Sequence, residues 1–385
     1  MTQQEGASAC TSGEIVCMTD AHDWEVQEIG TPVDFKRVEL EWNDLLRESD
    51  SAIPFLHHDW LRLWWEHFGT GHRMAVLTVR REGRLCLGLP LMEVGARRFG
   101  IRITELRSMT NYHSFRFNIL VRRGAEDALE AAWRYLRARP RPWHLIQLCE
   151  IPWNESRLSV LRELAVRDGY LCGLRGSESP YLRPRGKWEE YTTTLKAKFR
   201  SNLRNRRRRL HQLGPVSIVA PTEAADALRL LPTGLDIESR GWKSREGTAI
   251  ASNPTLTSFY TEWAQVAASQ GWLRLFFLSV ADTHAAFEYN IAYGGRLYCL
   301  KIGYDERFAA YSVGQLLKEE ILRLCHEGGF EEYDFLGVVN ESKLDWQPEL
   351  RDHKWLYIYN QDFRSCMAHL YKFGLVPRVK RWIGR

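Results

Sequence analysis

The sequence has no long hydrophobic run, no closely paired cysteines and none of the short motifs of several common enzyme classes. Its apolar stretches are typified by Leu275–Ala281, which a serine interrupts, and they fall far short of the roughly 18 residues that a membrane span needs. Residues 1–21 are polar and mildly acidic, without the basic and apolar regions of a signal peptide, and we expect them to form a disordered tail. These absences predict a cytoplasmic protein.

The eight cysteines are scattered along the chain, and no CxxC occurs. No pair of cysteines or histidines has the spacing of zinc ligands, so we predict no metal and expect reduced cysteines that serve as small core residues. The motifs GxxxxGK[ST], GxGxxG, HExxH and GxSxG are absent as well. Their absence argues against a kinase, a Rossmann dehydrogenase, a zincin or an α/β-hydrolase.

The positive charge is concentrated in two places. The formal net charge is only +5, yet residues 181–214 have eleven basic and two acidic side chains, and residues 364–385 have six basic and none acidic. The remaining 329 residues sum to −10. The chain has 42 arginines and 11 lysines, which is typical either of anion recognition or of codon bias in the source genome. The distribution excludes a uniformly basic, histone-like protein.

The apolar pattern predicts an α/β protein in which one order of elements occurs twice. In residues 22–180 we expect strands at 24–28, 74–80, 85–94, 101–109 and 144–150, with helices at 34–48, 54–68, 126–138 and 155–168. In residues 215–362 we expect strands at 216–219, 273–280, 285–293, 296–302, 331–336 and 355–359, with helices from 222, from Asn253-Pro254 and over 312–327. The repetition predicts two tandem units with mixed sheets. A basic linker helix (181–214) joins them, and a basic tail (363–385) follows.

The segment from Leu300 to Gln315 carries the clearest indication of a site. A predicted strand ends at Gly303, and Ser312 is the expected N-cap of a long helix with Gly314 in its first turn. The unpaired N–H groups of a helix N-terminus bind anions, and a glycine lets a ligand approach the backbone. The segment therefore predicts a pyrophosphate-binding site, although an ordinary capped helix has the same pattern.

Five stretches resemble the FemAB-like branch of the GNAT acyltransferase superfamily, in particular its CelD-type (cellulose-biosynthesis) acetyltransferases. They are FLHHDWLRLWWEHFG (55–69), FRSNLRNRRRRL (199–210), GWKSREGTAI (241–250), LKIGYDERFAAYSVGQLL (300–317) and DFLG (334–337), which Lys343 and Trp346 follow. The sequence departs from the family in GYDERF, where a proline commonly follows the aspartate, and in AYSVG, where SPG is frequent. The resemblance covers roughly residues 30–360 and implies two tandem GNAT-like units, the second of them catalytic.

The resemblance implies transfer of an acyl group, acetyl from acetyl-CoA or another acyl group from its acyl-CoA, to an amine or hydroxyl. The acceptor would be a small or sugar-linked molecule of exopolysaccharide or cell-envelope synthesis. The implied pyrophosphate contacts are the backbone N–H groups of Ser312, Val313, Gly314 and Gln315. The implied pantetheine contacts are Leu300, Lys301, Ile302 and Gly303, one of whose N–H groups polarises the thioester carbonyl.

Acyl transfer also needs a proton donor for the thiolate and a base for the acceptor. Tyr304 or Tyr311 is the predicted donor, and Glu288 or Asp305 the predicted base. Glu288 lies in an apolar strand, which is typical either of a functional side chain that faces the core or of a side chain on an exposed edge. Lys301 either contacts an anionic substrate or is a solvated lysine at the end of its strand. The predicted acceptor contacts are Asp334, Lys343 and Trp346, with Trp242 and Trp346 as aromatic platforms for a sugar.

Residues 195–212 contain eight basic and no acidic side chains beside apolar residues at helical spacing. Three interpretations remain open: Arg200 and Arg204 bind phosphates of the acceptor or donor, the helix binds RNA, or it is a solvated face. RNA would suit the FemAB relatives that use aminoacyl-tRNA, although aromatic stacking residues are missing between Arg200 and Gln212. The C-terminal tail is either an amphipathic membrane contact or loosely ordered. The alternative functions are aminoacyl transfer from tRNA and a non-catalytic scaffold that binds an anionic polymer.

Overall fold

Two sheets contain the sixteen strands found in the described residues of this computed structural model, which are 17–19, 24–98, 100–153, 156–240 and 250–376. The strands are β1 (Cys17–Thr19), β2 (Trp24–Ile29), β3 (Arg73–Met74), β4 (Val76–Arg81), β5 (Arg84–Leu89), β6 (Leu91–Arg98), β7 (Ile101–Ser108), β8 (Leu120–Val121), β9 (Leu145–Pro152), β10 (Leu171–Leu182), β11 (Val216–Val219), β12 (Leu273–Val280), β13 (Thr283–Tyr293), β14 (Arg296–Tyr304), β15 (Glu332–Asp334) and β16 (Glu349–Tyr359). The mixed α/β class predicted from the sequence is confirmed.

The helices pack against strands of both sheets. They are α1 (Pro32–Arg37), α2 (Glu39–Glu48), α3 (His58–Phe68), α4 (Ala128–Ala138), α5 (Ser156–Arg167), α6 (Trp188–Thr194), α7 (Ala197–His211), α8 (Ala224–Ser239), α9 (Pro254–Ser269), α10 (Val313–Glu327), α11 (Glu341–Leu344) and α12 (Phe363–His369), with short 3-10 helices at Pro54–Leu56, Ile250–Ser252 and Glu306–Tyr311 and a π-helix at Leu370–Leu375. Asn253 caps α9 by accepting hydrogen bonds from the N–H groups of Thr255 and Leu256, with Pro254 in the first turn as predicted. Among the described residues, no helix is both long and apolar enough to cross a membrane.

The run predicted as a single strand at 85–94 is divided between the two sheets. Pro90 separates β5 from β6, and proline cannot donate to a ladder. β5 belongs to the five-stranded sheet of order β1-β2-β4-β5-β8, whereas β6 belongs to the eleven-stranded sheet. β1 pairs with β2, so residues 17–19 form a strand within the stretch predicted to be a disordered tail.

The larger sheet runs without interruption through both predicted units, in the order β11-β12-β13-β14-β15-β10-β16-β9-β7-β6-β3. β16, from the second unit, pairs with β10 over eleven residues and with β9 on its other side. β10 was missed in the sequence, because SESPYL shows no regular alternation of apolar and polar residues. The two units therefore exchange strands and share one sheet.

Aromatic packing also joins the two units. Trp60 of α3 packs edge-on against Phe259 and Trp263 of α9, with ring centroids 5.0 Å apart in both pairs. All three side chains are fully buried. A second core lies under α7 and α10, on the opposite face of β12–β14.

The predicted basic linker helix is two helices, α6 and α7. Phe199, Leu203 and Leu210 of α7 are buried, which confirms the predicted apolar stripe, although Leu213 lies beyond the helix and is exposed. Arg207 pairs with Glu319 and Glu320 of α10, at 2.7 Å from each. The other cations of the helix include four exposed side chains: Lys198, Arg204, Arg208 and Arg209. Packing thus fixes one face of α7 and leaves the cationic face toward solvent.

Candidate active site

A cavity of about 440 Å³ opens between α7, the end of β14, the start of α10 and α11. Nine residues predicted as site residues line it: Glu288, Ile302, Gly303, Tyr304, Ser312, Gly314, Gln315, Lys343 and Trp346. Arg206, Cys299, Lys318 and Ser342 line it as well. The tertiary structure thus brings the predicted donor segment and part of the predicted acceptor region to one cavity.

The N-terminus of α10 faces this cavity. Ser312 is the N-cap residue of α10, as predicted, but it adopts a left-handed conformation (φ 49°) and its side chain makes no cap hydrogen bond. The first-turn N–H groups of an α-helix, here including those of Val313 and Gly314, have no acceptor within the helix. A Cβ added to Gly314 would meet only Tyr304 Cδ1 within 4 Å, at 3.7 Å. The first turn of α10 is therefore open to an anionic ligand.

A β-bulge distorts β14 beside the cavity. Tyr289 lies opposite Lys301 and Asn290 lies opposite Cys299, so Leu300 has no partner in the ladder with β13. A bulge leaves the extra residue unpaired and changes the direction of neighbouring side chains. Lys301 does not line the cavity, because its Nζ lies 3.2 Å from His113 Nδ1 of the first unit and 4.9 Å from the ring centre of Tyr260.

Gly303 is required for packing as well as for the cavity. An added Cβ would lie 2.5 Å from the Cα atom of Glu238 in α8, which is closer than real Cβ atoms approach. Only glycine lets the backbone of α8 come this close to β14.

Glu288 lies at the inner end of the cavity in a buried charged cluster. Its Oε1 is 2.6 Å from Lys318 Nζ, and its Oε2 accepts a hydrogen bond of 3.0 Å from the Tyr333 hydroxyl. Burial opposes the charge on Lys318, but Cys299 and Glu288 outweigh it and hold the pKa of Lys318 above its ordinary value. Burial raises the pKa of Cys299 to about 11, so this thiol is not a thiolate nucleophile near neutral pH.

Lys343 also lines the cavity, and its amine is directed at backbone carbonyls. Nζ donates to the carbonyl oxygens of Leu336 at 2.6 Å and Val338 at 2.9 Å. Burial is the main cause that lowers the pKa of Lys343 to about 8, and the charges of Lys318 and Arg116 act in the same direction. A neutral amine has two N–H groups and one lone pair, so two carbonyl acceptors leave the lone pair available.

Trp346 closes the cavity as a buried side chain. It is 1% exposed, packs edge-on against Phe199 of α7 and donates from Nε1 to Gln315 Oε1 at 2.7 Å. Gln315 Nε2 in turn donates to Ser342 Oγ at 2.7 Å. Trp346 thus fixes α10 against α11, and it is not the open aromatic platform that was predicted.

Asp305 does not line the cavity. It is buried, and hydrogen bonds from Arg307, 2.7 Å at the shortest, lower the pKa of its carboxyl. A carboxylate that is stabilised in this way is a poor proton acceptor, so the structure gives no support to Asp305 as the base. Tyr311 lies outside the cavity lining too, beneath the guanidinium of Arg209 at 5.2 Å.

The remaining predicted contacts also lie outside the lining of this cavity. The side chains of Leu300 and Val313 are in the core, Arg200 is half-buried, and Arg204 is exposed on α7. Asp334 is fully buried and lines a second cavity of about 380 Å³, on the side facing the first unit. Trp242 lies outside the described residues.

The sequence argument missed Lys318 and did not select Arg206 from the basic run. Lys318 precedes the buried residue Ile321 by three positions and the buried residue Leu322 by four, so it lies in the apolar stripe of α10. A lysine at such a position needs a buried counterion, and Glu288 in its apolar strand is the matching residue. A lysine in an apolar helix stripe and a glutamate in an apolar strand could therefore have predicted this buried ion pair from the sequence.

Comparisons with known proteins agree with this architecture. Residues 197–346 match the model of the acetyltransferase (GNAT) domain. FemX has a similar structure, with a TM-score of 0.57 and 11% identity over 86% of this chain and 98% of FemX. L-PGS from Bacillus licheniformis gives a TM-score of 0.51 and 13% identity over 90% of this chain and 97% of that protein.

A third similar structure is the C-terminal domain of a putative lysylphosphatidylglycerol synthetase from Agrobacterium fabrum. It has a TM-score of 0.51 and 12% identity over 88% of this chain and 95% of that domain. No curated protein matches the chain. The chain has the fold of GNAT-superfamily acyltransferases, in the FemAB-like arrangement of tandem units, which confirms this part of the resemblance, whereas the CelD-type assignment stays a prediction.

Proposed function

We propose that the protein transfers an acyl group, with acetyl as the first candidate, from acyl-CoA to an amine or hydroxyl. The acceptor is a small or sugar-linked molecule that binds in the 440 Å³ cavity. The observation that carries the proposal is the meeting, in one cavity, of an open helix N-terminus, a bulged strand and a lysine of lowered pKa. The match of residues 197–346 to the acetyltransferase (GNAT) domain supports it.

The donor lies across the N-terminus of α10. Its pyrophosphate accepts hydrogen bonds from the N–H groups of Val313 and Gly314, and the helix dipole adds a favourable charge interaction. Arg206, which lines the cavity from α7, supplies a cation. The pantetheine follows β14, and the backbone N–H of Leu300 at the bulge polarises the thioester carbonyl.

Lys343 is the proton acceptor in this mechanism. The acceptor nitrogen or oxygen attacks the thioester carbonyl carbon, its proton passes to the free lone pair of Lys343, and the C–S bond then breaks. The hydroxyl of Tyr304, which lines the cavity, protonates the departing thiolate. A pKa of about 8 for Lys343 suits a base that works near neutral pH, whereas Glu288 is already committed to Lys318.

Calorimetric titration with CoA tests the donor site. Gly314→Leu fills the space beside Tyr304, and we expect it to weaken CoA binding at least tenfold without lowering Tm. Gly314→Ala is the matched control, because an added Cβ makes an ordinary contact of 3.7 Å. Equal CoA affinity in wild type and Gly314→Leu would contradict this placement of the pyrophosphate, and wild-type protein that binds no CoA would remove acyl-CoA as the donor.

The exposed cations of α7 favour one second candidate, aminoacyl transfer from tRNA. Lys198, Arg204, Arg208 and Arg209 are exposed on the helix that carries the cavity residue Arg206. Such a face binds phosphates in a salt-dependent manner. Filter binding with aminoacyl-tRNA separates the outcomes: an enzyme deacylates it when an acceptor is present, whereas a non-catalytic scaffold binds it without deacylation.

A further inference from the structure

Arg116 lies in the first unit, between β7 and β8, and contacts the second unit through a buried ion pair. Its side chain is 3% exposed, and Nη2 donates to Asp334 Oδ1 at 2.7 Å and Oδ2 at 2.9 Å. The same Nη2 atom donates to Ser179 Oγ of β10 at 2.7 Å, and Nη1 donates to the carbonyl oxygen of Phe115. Arg116 lines the second cavity, not the one proposed to hold substrate.

Both side-chain partners of Arg116 hold the loop that follows β15. Asp334 Oδ1 accepts a hydrogen bond of 2.8 Å from the N–H of Leu336, and Ser179 Oγ donates to the carbonyl oxygen of Gly337 at 2.8 Å. Leu336 and Gly337 both have left-handed φ angles, of 52° and 59°. A leucine is strained in this region, so the loop needs such anchors to keep its shape.

This loop presents the carbonyl groups that hold Lys343. The left-handed turn places the Leu336 and Val338 oxygens within 2.6 and 2.9 Å of Lys343 Nζ. The connection therefore runs from Arg116 through Asp334 and Ser179 to the loop, and from the loop to the amine. Every step is a hydrogen bond of 2.9 Å or less.

We infer that Arg116 is a positioning residue through which the first unit sets the position and orientation of the Lys343 amine. The inference rests on the proposed role of Lys343 in acyl transfer. Strand β10 of the first unit lies between β15 and β16 and places Asp334 against the first unit, so the loop that holds Lys343 is anchored across the boundary between the units.

Several charged groups surround Lys343 and fix the expected direction of change. They are Cys299 on β14, Lys318 on α10, Asp334 on β15, Arg116 from the first unit, and Glu341 and Asp345 in the same cavity wall. Arg116→Gln removes a positive charge and leaves Arg351, whose Nη1 lies 3.4 Å from Oδ2, as the cationic partner of the Asp334 carboxylate. The loss of the positive charge favours the protonated amine, so the pKa of Lys343 should rise.

NMR titration of full-length protein carrying ¹³C-lysine tests this without relying on activity. The Cε signal of Lys343 is identified by its loss in Lys343→Arg, and we expect a midpoint near 8 in wild type. Arg116→Gln should raise this midpoint by about one pH unit and lower kcat by roughly tenfold or more through misplacement of the amine. Ser179→Ala, which leaves the ion pair in place, should raise the midpoint by a smaller amount and serves if Arg116→Gln does not fold.

Arg139→Gln is the matched control. Arg139 is similarly buried and pairs with two carboxylates, Glu28 and Glu93, which both belong to the first unit and differ from the groups that hold Lys343 and Arg116. It should lower Tm and leave the Lys343 midpoint unchanged. Unchanged Lys343 midpoints in folded Arg116→Gln and Ser179→Ala would overturn the inference. If the midpoints shift but the wild-type protein binds no CoA, the inference stands and the proposed function is refuted instead.

Discussion

The buried pair of Glu288 and Lys318 allows a structural role to be separated from a catalytic one. The two charges are 2.6 Å apart, and their side chains are 3% and 9% exposed. At an effective dielectric constant near 20 they attract by about 6 kcal/mol, and the loss of hydration offsets much of this. Removing one partner leaves a buried charge unpaired, so Glu288→Gln or Lys318→Met should each destabilise the protein by about 3–5 kcal/mol.

The double variant Glu288→Gln/Lys318→Met removes both charges and should recover most of that loss. Urea denaturation followed by tryptophan fluorescence gives the three free energies of unfolding and their coupling, which we expect to exceed the loss caused by either single variant. In our mechanism Glu288 is not the base, so the double variant should keep acyl transfer within about tenfold of wild type. A double variant that is stable but inactive would refute this reasoning and make Glu288 the catalytic base. Single variants that each cost less than about 1 kcal/mol would refute the electrostatic argument.

The same pair predicts how stability responds to pH. The pKa of Lys318 is raised in the folded protein above the 10.5 of an ordinary lysine. A raised pKa contributes stability that is fully present below pH 10.5 and is lost as the pH rises through the folded value. Lys318→Met should lack this alkaline loss.

Three further predictions concern the cavity and its surroundings. If Lys343 is the base, kcat/KM should rise with pH through about 8 to a plateau, and Lys343→Arg should be inactive throughout the range; a profile that falls through 8 would contradict this role. Arg206→Gln should weaken CoA binding about tenfold, measured by calorimetry, whereas Arg204→Gln, outside the cavity lining, should leave CoA binding unchanged. An equal loss of CoA affinity in both variants would favour a general electrostatic attraction by the cations of α7 over a specific contact with Arg206. Asp305→Asn should lower Tm, because Arg307 loses its carboxylate partner, and should leave kcat unchanged; an inactive folded variant would restore Asp305 as the base.

The spacing of apolar residues in the sequence was sufficient to predict the helix and the strand that form the proposed donor site. The helix predicted at 312–327 is α10, and the strand predicted at 296–302 lies within β14. Alternation at period two and the apolar stripe at period 3.6 are properties of neighbouring residues, so they can be read without knowledge of the fold. For the same reason the sequence indicated the apolar stripe of α7.

Contacts between residues that are distant in the chain could not be predicted from these local patterns. The sequence by itself determined most of the helices and strands, although not β1 or β10, as well as where the positive charge is concentrated and that a glycine opens the first turn of α10. Only the tertiary structure decided that β16 lies between β9 and β10, that Lys301 faces the first unit, and that Lys318 neutralises Glu288. A β-bulge, a strand exchange and a buried ion pair each depend on residues that are distant in the chain, and the geometry of the sheet selects their partners.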